Sequence, residues 1–547
     1  MSDKLRKHEI ENLPGCAVEF INSVIKKMRY RRKVRQDVQA ELIAHFEDEL
    51  RVCDNEQERQ QKAQQLIADF GDVKVLAVLL RLAKKRCQPL WQKVVVRSLQ
   101  TFGLVFLYLL VCVSPLIIGK PKITIDYIDW LNEHVRADRS ESGNARPYYE
   151  KAVSLFVEMP QWLSSSTLEW PADFNDVQRQ SLVSWLENNQ RAFDALRVAA
   201  ERPYYWSSYQ KSGEVASPAG IVPSVMESIM QSLAGYKKLA RAMGWRIRLD
   251  ALSGEIDSAM KDCLVLQKFG DHLHSGGLLV EQLVGIAIEA LSFSEITRIL
   301  KDIDVPANAM KMVQEGLTKQ FVRHQPLISL DAEKVLWYDQ IQRTFTDDGK
   351  GDGRVLMRGL PYVVSGWKDY LWGLVTFSYP SRHEFVIEID RCYEQIDEFL
   401  YRTPWDLHND YTNENKWNKK FPRSFMLQIS WPAYRRVSQL AWRLETHRTA
   451  MLTLLAIMRC WKDSGHYPEN LNELVSAGYL SSLPMDPFGG RPLMYKKTEE
   501  GFILYSVGED LKDEGGRMGV GGKGQPRMWA SNGDWVFWPV PRTEAKK

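Results

Sequence analysis

Twenty-two consecutive residues without a charge, Ser98 to Gly119 (SLQTFGLVFLYLLVCVSPLIIG), constrain this chain more than any other stretch. At about 1.5 Å of rise per residue, a helix of that length covers the roughly 30 Å hydrocarbon core of a bilayer. Pro115 stands near one end of the run, where a membrane helix tolerates a bend. The segment lies too far from the N-terminus for a cleaved signal peptide. Lys84, Lys85, Arg86, Lys93 and Arg97 crowd the near flank, whereas Lys120 and Lys122 on the far flank are soon followed by Asp126, Asp129 and Glu133. Positive charge collects on the cytoplasmic side of a span. The pattern therefore predicts one crossing of the inner membrane, with residues 1–95 in the cytoplasm and 120–547 outside it.

Charge elsewhere agrees with that division. Residues 1–100 carry 20 Lys and Arg against 14 Asp and Glu, and the remaining chain is close to balanced. A basic excess beside a span is explained by topology and does not call for nucleic acid. The seven cysteines are scattered, with no CxxC pair, which excludes a zinc ribbon, a thioredoxin-type centre and a disulfide framework. At 547 residues and 44% apolar composition, the chain is expected to fold as several domains.

Before the span, Val18, Ile21, Val24, Ile25 and Met28 form one helical stripe, and Val34, Val38, Leu42, Phe46 and Leu50 form the next. Ala63, Leu66, Ile67 and Phe70 follow. Gly71-Asp72 then closes one helix and opens another through Leu76 and Leu79. The run INSVIKKMRYRRKVRQDVQAELIAHFEDEL, continued by AQQLIADFGDVKVLAVLLRLAKKR, resembles the small helical domains of the HAAS or permease-prefix type that precede membrane segments. That resemblance implies a cytoplasmic four-helix prefix at 1–95.

Residues 120–435 read as a large α-helical domain. Leu182, Trp185, Leu186, Phe193, Leu196 and Ala200 share one helical face, ended by Pro203. Residues 228–269 predict an antiparallel hairpin turning at Ser253-Gly254-Glu255, with Ala251, Gly254 and Ala259 small enough for close approach, as in tetratricopeptide hairpins. No 34-residue period supports a full array. Further helices are expected near 280–302, 308–322, 329–345 and 384–400. Lys368 and Asp369 interrupt the aromatic run 355–380 and argue against a second span. A last helix is expected from about Ser438, then strands at Leu493–Lys496, Phe502–Val507 and Trp535–Val540.

The order of landmarks in that last part is distinctive: a long helix, GHYPENLNELVSAGYLSSLPMDPFGGRPLMYKK, GFILYSVGED and NGDWVFW. It resembles the soluble part of the type II secretion major pseudopilins over residues 438–541. The resemblance implies a helix packed on a small antiparallel sheet, with a late acidic loop that binds calcium. The acidic residues at the matching place are Asp510, Asp513, Glu514 and Asp534. A hard cation takes six to eight oxygens, which these carboxylates and nearby carbonyls would supply. The alternative is a solvated acidic turn rich in glycine. No pseudopilin processing signal precedes the apolar segment, so the fold is expected as a reused C-terminal module, followed by a tail at 542–547.

Other motifs fail on spacing. DDGKGDGR carries Asp348, Asp352 and Gly353 as an EF-hand would, but Lys350 and Gly359 stand where ligands are needed. GVGGKGQ lacks the Ser or Thr of a phosphate loop, Asp271, His272 and His274 lack further ligands, and His383 lacks a zincin partner. RPYYWSSYQ suits either sugar stacking or a helix end. Glu333 and Asp339 stand off one face and do not make an acid–base pair. No GxSxG elbow occurs. The expectation is a mainly α, non-catalytic scaffold or binding protein of the bacterial envelope that meets protein or glycan partners. Two alternatives stand beside it: an accessory of a type II secretion or pilus-like apparatus, and an envelope hydrolase with its site in 120–435.

Overall fold

The computed structural model describes residues 12–86, 90–164, 170–209, 222–320, 327–360, 379–409, 425–522 and 524–540. The expected tail, the core of the aromatic run 355–380 and most of the polar connection before residue 425 lie outside them. The chain divides into two compact units, Met1–Val111 and Cys112–Lys547.

The first unit contains α1 (Gly15–Lys27), α2 (Arg32–Leu50), α3 (Glu56–Phe70) and α4 (Val73–Arg86). The expected stripes meet in one small core of Phe20, Ile21, Val24, Val38, Leu42, Phe46 and Ala63. Phe46 and Phe70 both pack against Phe20, with ring centroids 6.2 and 5.9 Å away. At the predicted break, Gly71 adopts φ +72°, which a residue without a Cβ enters freely. The Asp72 carboxylate then accepts from the Lys74 and Val75 amides, capping α4. Leu79 departs from expectation and lies exposed.

Helix α5 (Leu90–Ile118) includes a stretch, Val94–Ile118, that is long and apolar enough to cross a membrane. Only 6% of its most apolar window is covered by protein, and Leu99, Phe102, Leu104, Phe106 and Leu107 are all more than half exposed. A core helix of a soluble protein would bury such residues.

The second unit begins with α6 (Tyr127–Arg136), α7 (Arg146–Ser154), α8 (Gln161–Ser164), α9 (Asp176–Asn188) and α10 (Gln190–Ala200). The predicted face of Leu182, Trp185, Leu186, Phe193 and Leu196 is buried, but a turn at Asn189 cuts it into two helices. The Asn189 amide side chain bonds the Val157 backbone and the Trp185 carbonyl, adding side-chain bonds to the backbone ones at the turn. The hairpin follows as α11 (Val222–Leu252) and α12 (Ile256–His274), then α13 (Leu279–Asp302), α14 (Ala307–Gln320), α15 (Asp331–Thr344), α16 (Arg382–Tyr401) and α17 (Pro404–Asn409). Gly254 turns the hairpin at φ +85°. The tightest approach lies elsewhere, between α12 and α13, where a Cβ on Gly285 would sit 2.2 Å from the His274 amide nitrogen and 2.6 Å from the Gly270 carbonyl oxygen.

Helix α18 (Phe425–Ser464) starts earlier than expected and carries Pro432 within it, and the short α19 (Leu471–Ser476) follows it. Strands β1 (Met485–Asp486) and β2 (Arg491–Pro492) pair as a small hairpin. Strands β3 (Met494–Lys497), β4 (Phe502–Ser506) and β5 (Trp535–Trp538) form an antiparallel sheet in that order, with a bulge at Leu504/Tyr505.

No boundary appears at 435–438, because α18 runs through it and one buried cluster continues from Leu116 to Phe537. His447 on α18 lies between Phe293, Trp529 and Phe537, at 4.9, 5.4 and 5.8 Å between ring centroids. The Trp405 amide donates to the Pro487 carbonyl, and its indole closes over Gly490.

Candidate functional site

In the acidic loop after β4, Glu514 lies within electrostatic reach of Asp510 and Asp534. Asp534, just before β5, is completely buried. Its Oδ2 accepts from the Gly516 and Arg517 amides at 2.7 and 3.2 Å, while its Oδ1 has no hydrogen-bond partner. Glu514 likewise buries an Oε2 without a partner. Burial pushes the Asp534 carboxyl up despite the facing amides. Burial, then the charges of Asp510 and Asp534, push the Glu514 carboxyl up.

Asp513 is different. Its Oδ2 meets Arg491 at 3.0 Å, and its Oδ1 accepts from the Tyr505 hydroxyl and the Gly515 amide at 2.9 and 3.0 Å. Although burial opposes them, these partners hold its carboxyl below the ordinary range. Among the described residues no three Asp, Glu, His or Cys side chains stand as a ready metal shell. What fits a hard cation here is the chemistry of the donors: oxygen only, with two orphaned buried oxygens and mutual repulsion for an ion to offset.

The helical domain buries further carboxylates, and sequence reasoning missed three of them, Glu281, Glu289 and Glu295. Glu281 accepts from the hydroxyls of Ser207, Tyr205 and Tyr209 and from the Leu278 amide. Tyr205, Ser207 and Tyr209 of the RPYYWSSYQ segment are thus turned inward as a lining for this glutamate. Glu333 accepts from the Leu279 amide at 2.5 Å and leaves Oε2 orphaned. Burial, with a smaller push from the Glu281 and Asp331 charges, raises its carboxyl to about 8. About two turns of α13 beyond Glu281, Glu289 meets Arg448, His274 and Gln267. Glu295 meets Arg248 at 2.5 Å. Asp339, once weighed beside Glu333, is instead paired with Arg343 at 2.8 Å. The available signal was three glutamates, Glu281, Glu289 and Glu295, set among the apolar residues of one helix.

An open cleft of about 450 Å³ lies over α10, α11, α12 and the end of α14. Arg197, Arg246, Lys261 and Lys268 line it against only two acids, Glu201 and Asp262. Arg197 is held by Asp262 at 2.7 Å, Arg246 by Asp250 at 2.8 Å and Lys268 by Asp271 at 2.8 Å. Lys261 is exposed and faces the cleft with no acidic partner among the described residues. With the other three cations already ion-paired, Lys261 is the group this cleft offers to an anionic partner.

Comparison with family models, curated proteins and solved structures finds no match for this chain.

Proposed function

We propose that the chain is a non-catalytic scaffold and binding protein of the bacterial envelope, held in the inner membrane by α5. Residues 1–95 face the cytoplasm as a HAAS-like prefix, and 120–547 form an extracytoplasmic body ending in a pseudopilin-like module. The observation that carries this reading is the uncovered apolar surface of Val94–Ile118, which only lipid would cover at low cost. The flanking lysines and arginines set its direction. A reporter fused after Lys547 tests it: activity outside the cytoplasm is expected, and activity in the cytosol would sink both topology and role.

The basic cleft supports binding of an acidic group on a protein or glycan partner. Full-length chain carrying Lys261→Glu is expected to hold partners from envelope extract roughly tenfold more weakly. Capture at wild-type strength would remove the cleft from the account. Calcium, if it serves this protein, would be held by Asp510, Glu514 and Asp534, with Asp513 bracing the loop through Arg491. Its chemistry there would be neutralisation of a buried acidic group and ordering of the loop.

A further inference from the structure

We infer that the cleft at the outer end of α5 binds the phosphate of an anionic phospholipid headgroup, with Arg354 as its ligand; the inference rests on the membrane reading above. Ser114, Ile118 and Gly119 form one wall of this cleft of about 330 Å³, and Thr346 and Arg354 form the other. A helix spanning Val94–Ile118 is about 37 Å long, so its last turn emerges at headgroup depth. Ile117 and Ile118 are 63% and 75% exposed there, an apolar floor for the start of an acyl chain.

The facing wall is built firmly. Phe345 and Val355 bridge the base of the loop. The Thr346 amide donates to the Arg354 carbonyl, and the Arg354 amide donates to the Thr346 hydroxyl, both at 2.9 Å. Gly353 packs so closely that a Cβ would overlap the Thr346 carbonyl oxygen.

Three loop carboxylates stand near enough in sequence to neutralise Arg354, and each is occupied elsewhere. Asp347 pairs with Arg382 at 2.8 Å. Asp348 accepts from the Lys350 and Asp352 amides. Asp352 accepts from the Gly353 and His383 amides. The Arg354 side chain is left exposed, with no acidic partner among the described residues. A planar guanidinium matches phosphate with two parallel hydrogen bonds, and the bilayer places a phosphate at this depth. Exposed Lys120, one residue beyond the cleft wall, adds to the preference for an anionic lipid.

The test uses the full chain released in mild detergent and titrated with phosphatidylglycerol under native mass spectrometry. Arg354→Gln is expected to weaken retention of one lipid about tenfold, Arg354→Lys to recover part of it, and Arg358→Gln, in the same loop but off the cleft, to leave it unchanged. Matched melting curves confirm that the variants fold. Lipid retention equal in wild type and Arg354→Gln, in a chain that still inserts into vesicles, would overturn this inference and leave the anchor standing. Displacement of the lipid by inorganic phosphate at like concentration would show a plain anion site and would also overturn it. A chain that stays soluble without detergent or lipid defeats the membrane reading first.

Discussion

Glu333 and Asp534 are both carboxylates taken out of water, and each leaves one oxygen without a partner. For Glu333 the folded carboxyl is raised to about 8, above the ordinary 4.3 or so of the unfolded chain. Between those values the folded state keeps a proton that the unfolded state has lost. Stability therefore falls as pH rises through that window, by up to about 1.4 kcal/mol per unit, and levels off above it. Glu333→Gln keeps the shape without the charge, so its melting temperature should fall less steeply from about pH 5.5 to about pH 8. Parallel slopes for the two proteins would refute the assignment. For Asp534 the expected reading is a calcium-dependent rise in melting temperature, corresponding to about 2.7 kcal/mol at a hundredfold excess over Kd. Asp534→Asn should abolish that rise while remaining folded; an unaltered rise would place calcium elsewhere. The acidic spacing brought Asp510, Glu514 and Asp534 into view from the chain alone. It could not show that Asp513 is braced by Tyr505 and Arg491, because those partners come from neighbouring strands.

Apolar periodicity located the helices within a few residues, since a stripe that must be buried repeats wherever the helix runs. Where a polar side chain or a proline sits within the pattern, the reading slipped: Asn189 divides α9 from α10, and Pro432 lies inside α18. The hairpin's small residues were legible at its turn, but the closest crossing falls between α12 and α13, at Gly270 and Gly285. Which neighbour a glycine faces depends on helix azimuth, which one strand of sequence does not state. Gly285→Ala would drive a methyl group into the His274 backbone. It should destabilise the second unit by about 1–3 kcal/mol, readable in its denaturation midpoint. A wild-type midpoint would mean that the two helices separate at no cost.

At the level of the molecule, the prefix core and the large core share no residue. Heating the full chain should therefore give two transitions. Phe46→Ala removes a completely buried ring from the prefix and should lower only one of them, by about 3–5 kcal/mol, with the other midpoint fixed. Movement of both midpoints would tie the units together energetically. The second unit has the opposite character: α18 and the sheet bury their apolar residues in a single continuous cluster with the bundle, and Trp405 closes over Gly490. A terminal fold stitched in this way should melt together with its bundle, so that damage to either face of the seam is felt on both.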